Sequence, residues 1–372
     1  MGEVSIITIG DELLSGHTVD TNAVYIGRRL ADMGHSVRSM FTVGDSARDI
    51  AAVLKRALKS DVIITTGGLG PTKDDITKQT VTDALGTKLV RGATPLANPV
   101  GIAPGIFIEE GKTLIFLLPG VPREMKSIFE NQVVPLLRQR LASHSLITVT
   151  FHTTDISESR IQELIGEIGD TGFLPHHTGV DLRISRKTKG EMEELRKFLK
   201  CRLGDALYGE DGDTLEVVVG KLLKSGHLTI GVAESLTGGL VMHRITNVSG
   251  SSDYFIGGVV AYSNELKSAI LGVKGETLKR YGAVSRRTAL EMADGIRKVT
   301  GADIGTSTTG IAGPTGGTKK KPIGLVYTAV CGRGRAKCKR NLFKGDRLMI
   351  KEMSAQKVLD MVRLYVRAIH TP

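Results

Sequence analysis

Three apolar runs of strand length stand out in the first third of the chain: "VSIITI" (Val4 to Ile9), "DVIITT" (Asp61 to Thr66) and "TLIFLLP" (Thr113 to Pro119). Runs that are apolar at every position, rather than at every second one, predict strands buried on both faces. Between them, "TNAVYIGRRLADMG" keeps helical spacing and is stopped by Gly34. A second helix, "SARDIAAVLKRALKS", opens at Ser46 with Asp49 three residues on, the spacing of a capping box. This β-α-β order predicts a doubly wound, mainly parallel sheet over residues 1–143, with ligands beyond the carboxyl ends of its strands.

From about Leu146 the pattern changes. "LITVTFHTT", "SESRIQELIGEI", "VDLRISRKT" and "GEMEELRKFLKCRLGDAL" read as strand, helix, strand, helix, a small α+β module over residues 144–210, and "YGEDGDT" reads as a polar linker. Beyond it, the amphipathic "LEVVVGKLLKSG" and the strands "LTIGVAES", "YFIGGVVAYS", "ADIGTSTTG" and "IGLVYTAV", separated by helices such as "SRRTALEMADGIRKVT", predict a second α/β domain over residues 214–372. At 372 residues the chain exceeds what one core serves.

Charge sharpens this division. Residues 1–143 hold 16 Lys and Arg against 15 Asp and Glu, residues 144–213 hold 9 against 13, and residues 214–372 hold 25 against 11. The net charge of +11 therefore resides in the last domain, with no tryptophan and few aromatics to stack on bases, which suits small anionic ligands at least as well as nucleic acid. Three cysteines without a CxxC pair, Cys201, Cys331 and Cys338, speak against a disulfide framework or zinc ribbon. No apolar run nears the roughly 20 residues that cross a bilayer. A cytoplasmic protein without a membrane partner is expected.

Several loops could carry chemistry. In "ITTGGLGPTKDDITKQTV", a strand ends in Gly67, Gly68 and Gly70, and Asp74 and Asp75 follow at a helix start; such a loop can hold a phosphate and its carboxylates a divalent cation. Asp11, Glu12 and Asp45 add acids near strand ends, and "LPGVPREM" adds a further turn. In the last domain "AESLTGG" (Ser235, Thr237, Gly238, Gly239) and "STTGIAGPTGG" (Thr309, Gly310, Gly313) are candidate anion cradles, and Arg347 in "FKGDR" is a candidate phosphate clamp. "GSSDYFIGGVVAYSNELK" places Ser252 before an apolar run and Tyr262 and Lys267 after it. It is either a strand with polar ends or a serine nucleophile with a lysine base, which would require a lysine of depressed pKa. The pair His176-His177 has no third ligand nearby and reads as a loop pair, and "TKKKP" and "RGRAKCKR" read as solvated charge.

Taken together, "GDELLSGHTVDTNA", "TTGGLGPTKDD", "LLPGVPREM", "AESLTGGL", "GSSDYFIGGVVAYSNELK", "GAVS" and "TGIAGPTGGT" resemble, in that order and over nearly the whole chain, the CinA (competence/damage-inducible protein A) family. The resemblance implies a MoaB/MogA-like, molybdopterin-binding-like first domain with metal-dependent ADP-ribose pyrophosphatase activity (Mg²⁺, Mn²⁺ or Co²⁺ on Asp74 and Asp75), a KH-like middle module, and a C-terminal nicotinamide-nucleotide amidase. That amidase converts nicotinamide mononucleotide to nicotinate mononucleotide and ammonia and needs no cofactor. The resemblance further implies Ser252 as nucleophile, Lys267 as base, Tyr262, Thr309 and Arg347 in support, and a homodimer. Two departures accompany it: Leu236 stands where relatives carry Cys, and Thr87 to Gly105 is shorter than in relatives. The non-enzymatic alternative is a nucleic-acid or recombination-partner protein, against which the acidic middle segment weighs.

Overall fold

The computed structural model describes residues 2–70, 75–86, 93–141, 146–169, 171–332 and 334–370. Its contacts divide the chain into two compact units, residues 1–148 with 185–194, and residues 149–184 with 195–372.

The first unit is built on a six-stranded sheet of β1 (Glu3–Ile9), β2 (Ser36–Val43), β3 (Val62–Thr66), β4 (Thr94–Leu96), β5 (Gly105–Glu110) and β6 (Thr113–Leu118), in the order β2-β1-β3-β6-β5-β4. β2, β1, β3 and β6 run parallel, and β5 and β4 are added antiparallel. Strand periodicity explains why the central strands read as unbroken apolar runs. Val4, Ile6, Val62, Ile64 and Phe116 pack on one face, against the helices Thr21–Asp32 and Pro122–Ile128. Ile7, Ile9, Ile63, Ile115 and Leu117 pack on the other, against the helices Ala47–Ala57 and Thr77–Leu85. Ser46 caps its helix as its spacing predicts, its side chain accepting the amide of Asp49.

A four-stranded sheet follows: β7 (Ile147–Thr153), β8 (Thr171–His176), β9 (Gly179–Arg186) and β10 (Leu207–Glu210), in the order β10-β7-β9-β8. With helices Glu158–Ile165 and Lys189–Leu203 this is a β-α-β-β-α-β module, the split β-α-β arrangement. The expected linker is a strand and a tied turn instead. Leu207–Glu210 pairs with β7, the Thr150 amide donates to the Asp211 carboxylate at 2.9 Å, and Lys221 bonds Asp213 at 2.6 Å.

The last sheet holds β11 (Ile230–Glu234), β12 (Phe255–Val260), β13 (Ile304–Gly310), β14 (Leu325–Gly332) and β15 (Arg335–Leu342), in the order β12-β11-β13-β14-β15. The first three run parallel, β14 pairs antiparallel with β13, and β15 antiparallel with β14. Helices Leu215–Ser225, Leu240–Thr246 and Arg347–His370 cover one face, with Val219, Leu223, Val241, Val358, Leu359 and Val362 packed on Val232 and Ile304. Helix Arg286–Thr300 covers the other through Ala289, Met292, Ala293 and Ile296. The central strands β11, β13 and β14 are therefore buried on both faces, and the carboxyl ends of β12, β11 and β13 emerge side by side at one edge.

Candidate functional site

At that edge the chain leaves β11 through Ser235, β12 through Ala261 and Tyr262, and β13 through Thr309 and Gly310. Lys267, in the short helix Asn264–Ala269, turns back beneath the end of β12 and is only 1% exposed. Its Nζ lies 2.8 Å from the Ala261 carbonyl, 3.3 Å from the Tyr262 carbonyl and 3.2 Å from Ser235 Oγ. Burial lowers its pKa, and the carboxylate of Glu265, acting the other way, does not restore it. A neutral lysine amine has two N–H donors and one lone pair. With both carbonyls taking those donors, a neutral amine would turn its lone pair to the Ser235 hydroxyl, whereas the ammonium donates to all three oxygens.

The structure does not bring Ser252 to this lysine. Ser252 lies in a short 3₁₀ turn, Ser251–Asp253, ahead of β12, while Lys267 lies beyond its far end. Six residues of strand at about 3.3 Å each hold the two ends roughly 20 Å apart. Ser252 is exposed and belongs to the turn, and the serine at the lysine is Ser235.

The "AESLTGG" turn is not an open anion cradle either, because its own chain fills it. Glu234, fully buried, accepts the amides of Gly239 (2.9 Å) and Val241 (3.2 Å) on Oε2 and of Met242 (2.9 Å) on Oε1, at the start of helix Leu240–Thr246. Gly238 and Gly239 have φ of 63° and 99°, the left-handed region that glycine adopts without strain, and so allow the chain to wrap around that carboxylate. Thr237 and Thr309 are buried as well: the first shares a 2.6 Å hydrogen bond with Thr308, the second donates to the Ala283 carbonyl at 2.8 Å. Their hydroxyls hold loops. Leu236 packs with Ala312, Val326 and Ile350, so this position belongs to the core. The amides of Leu236 and Thr237, next to Ser235, donate to no group among the described residues.

Tyr262 and Arg347 meet over the site. Arg347 donates through Nη1 to the Gly313 carbonyl at 2.7 Å and through Nη2 to Tyr262 Oη at 3.1 Å, bracing the β13 loop against the β12 exit, with Tyr262 itself 60% exposed. Gly310 leaves no room for a side chain, since a Cβ there would lie 2.7 Å from the Leu325 carbonyl oxygen.

In the first unit, Gly67 serves backbone packing: a Cβ would lie 2.1 Å from the Ile9 carbonyl oxygen. A Cβ at Gly68 would meet Thr77 Oγ1, and one at Gly70 the Asp75 carboxylate. Asp74 lies outside the described residues. Asp11 and Asp45 exchange backbone-to-carboxylate hydrogen bonds at 3.2 Å, joining the ends of β1 and β2. Among the described residues no three His, Cys, Asp or Glu side chains are grouped to hold a metal. One residue here escaped the sequence reading: Asn22 bonds Thr66 and the Gly120 carbonyl through Nδ2, leaving its buried Oδ1 without a partner. It lies within the quoted "GDELLSGHTVDTNA", but by itself it is one polar residue inside a helical pattern.

In the middle module the two adjacent histidines part company. His176 approaches Asp181 at 3.4 Å and His177 pairs with Glu352, while His152 makes the shorter bond to Asp181, 2.8 Å. The helix Glu158–Ile165 ends in a G-E-I-G turn, Gly166 to Gly169, whose exposed Glu167 would repel a phosphate backbone.

Compared with known proteins, residues 212–366 match the family described as "CinA C-terminal domain" and residues 5–139 the one described as "Probable molybdopterin binding domain". A relative from Clostridium novyi, named among the competence-damage inducible proteins, is 40% identical over 405 aligned positions that span 97% of this chain and 98% of its own. A similarly named protein of Halothermothrix orenii is 39% identical over 97% of this chain and 98% of its own length, and a "CinA-like protein" of Salinibacter ruber 38% identical over the same shares. The 405 positions exceed the 372 residues of the chain, so the relatives carry segments that it lacks.

Proposed function

The chain belongs to the CinA, or competence-damage inducible, family, and from that premise we propose that its C-terminal domain is an amide hydrolase that deamidates nicotinamide mononucleotide through Ser235 and Lys267. One observation carries this reading: a lysine buried to 1% exposure, its pKa lowered, with its Nζ 3.2 Å from a serine hydroxyl at the carboxyl edge of a parallel sheet.

Neutral Lys267 accepts the proton of Ser235 as Oγ bonds to the carboxamide carbon. The carbonyl π electrons move onto oxygen, and the amides of Leu236 and Thr237, which follow Ser235 in the chain, receive that charge. Collapse of the tetrahedral species breaks the C–N bond, and Lys267 returns its proton to the departing nitrogen, releasing ammonia and an ester on Ser235. Water then repeats the cycle: it gives a proton to Lys267, attacks the ester carbon, and frees nicotinate mononucleotide as Ser235 recovers its proton. The Ala261 and Tyr262 carbonyls keep the amine oriented throughout. The basic surplus of residues 214–372 and the guanidinium of Arg347 suit a substrate that carries a phosphate.

The test is ammonia release from nicotinamide mononucleotide by the purified protein, with trapping of the ester on Ser235 by mass spectrometry. Protein that forms no nicotinate mononucleotide under any condition, or that keeps full activity as Ser235→Ala, ends the assignment.

A second reading, metal-dependent hydrolysis of ADP-ribose in the first unit, has in its favour Asp75 beside Gly70 at the carboxyl edge of β3. No step is derived through a cation there. Incubation of the full chain with ADP-ribose and Mg²⁺, Mn²⁺ or Co²⁺, read as AMP formed, decides it.

A further inference from the structure

The most deeply buried carboxylate at this edge belongs to Glu234, and neither the chemistry above nor the family resemblance gives it a task. A carboxylate removed from water must find compensation, and Glu234 finds it in three backbone amides, those of Gly239, Val241 and Met242 at 2.9, 3.2 and 2.9 Å. No lysine or arginine lies within salt-bridge distance of it among the described residues. Its main chain is bound on both sides: the Glu234 carbonyl accepts the Ala261 amide at 2.8 Å, and the next residue donates its own amide to the Thr308 carbonyl at 3.0 Å. That next residue is Ser235.

The geometry points to Glu234 as the positioning residue for Ser235, an inference that rests on the amidase reading. The side chain ties the end of β11 to the start of helix Leu240–Thr246, so that the five intervening residues, Ser235 to Gly239, form a turn fixed at both ends. The fixed turn sets the distance from Ser235 Oγ to Lys267 Nζ and the direction of the Leu236 and Thr237 amides. Two left-handed glycines within five residues would otherwise leave this segment free to sample many conformations. The carboxylate also takes the amides on which a phosphate would rest, so this helix start serves the nucleophile and the phosphate must bind elsewhere.

Glu234→Gln keeps the length of the side chain but places an NH₂ group against an amide donor. Two measurements read it: turnover of nicotinamide mononucleotide per titrated site, and the rate at which a fluorophosphonate probe labels Ser235. The expected result is a fall of about 10²-fold in kcat, the scale on which small misplacements act, with KM within about threefold. Labelling of Ser235 should slow in parallel, and amide hydrogen exchange should quicken at Gly239, Val241 and Met242. Glu234→Ala should do worse on each count, and if it fails to fold the Gln variant alone decides. A Gln variant whose turnover and labelling stay within about twofold of the parent overturns the inference. Parent protein that is labelled at Ser235 yet releases no ammonia ends the substrate reading, and the labelling rates still decide on Glu234. Parent protein not labelled at Ser235 overturns both.

Discussion

The Nζ of Lys267 and the Oγ of Ser235 stand 3.2 Å apart although 32 positions separate them in the chain. They meet because β11 and β12 are parallel neighbours that end at one edge, with Glu234 and Val260 in register just before the two strands give way to Ser235 and Ala261.

Replacing each serine in turn separates the two candidate nucleophiles. Ser235→Ala should reduce deamidation by at least about 10³-fold, as loss of an attacking hydroxyl does. Ser252→Ala, on an exposed turn before β12, should stay within about twofold of the parent. Initial rates of ammonia release check both, and a reversed order would return the nucleophile to the far end of β12.

Activity and stability should both respond to the titration of Lys267. Because burial holds its pKa below the usual 10.5, activity should rise with pH along a limb whose midpoint lies below that value, and Lys267→Arg should remove the limb together with turnover. The folded chain binds fewer protons than the unfolded one between the depressed value and 10.5, so stability increases with pH across that window. Below the window the buried charge weighs fully against the fold. Lys267→Met should therefore have the higher urea midpoint at low pH, with the gap closing as pH approaches 10.5.

Arg347→Ala removes the brace between the Gly313 carbonyl and Tyr262 and takes a guanidinium from the site. The expected outcome is a KM raised by about tenfold or more with a smaller change in kcat. Arg347→Lys should recover little, because a single ammonium does not reproduce the fixed fork that spans two acceptors. Steady-state kinetics on both variants test this, and an unchanged KM in either would remove Arg347 from binding.

The middle module should lose stability at both ends of the pH scale through one pair. Burial alone would lower the pKa of His152, but its hydrogen bonds to Asp181 and to the Asp211 carbonyl raise it above 6.5. Burial would raise Asp181, and the bonds from His152 and His176 outweigh it, bringing that carboxyl down to about 2. The His152 contribution is complete below 6.5 and is lost as pH rises through the raised value; the Asp181 contribution is complete above 3.8 and is lost as pH falls toward 2. His152→Gln should accordingly cost on the order of 1 kcal/mol between those limits and less above them, as read from urea midpoints.

What could be read from the sequence followed burial. β3, β6 and β11 lie inside the sheets, packed on both faces, and so appear as runs of apolar residues with a turn at the end. β2 and β15 are edge strands and escaped for that reason: Ser36 to Val43 alternates, and "RAKCKRNL" is mostly exposed, with lysine and arginine on a strand whose outer backbone must not recruit another chain. The solvated charge of "RGRAKCKR" thus lies on a sheet edge. Lys267, Tyr262 and Arg347 were legible as residue types near strand ends. The partner of Lys267 was not, because spacing along one strand says nothing about which neighbouring strand ends beside it. Glu234 went unremarked since a glutamate that closes a strand looks like any solvent-facing acid until the amides that surround it are located.

The helix Arg347–His370 has a consequence for how the polypeptide could be divided. Arg347 braces the loops over the site, and further along Lys357 bonds Asp155, the buried Arg363 holds the Asp205 carbonyl, and Arg367 pairs with the Asp205 carboxylate at 2.9 Å. Asp155 and Asp205 both precede the turn at Asp211 to Asp213. A chain nicked at Gly212 should therefore migrate as two bands in denaturing electrophoresis and still travel as one particle on a sizing column. By the same reasoning, residues 1–211 and 212–372 produced as separate polypeptides should reassemble by fragment complementation, with β10 supplied by one fragment and the long helix by the other.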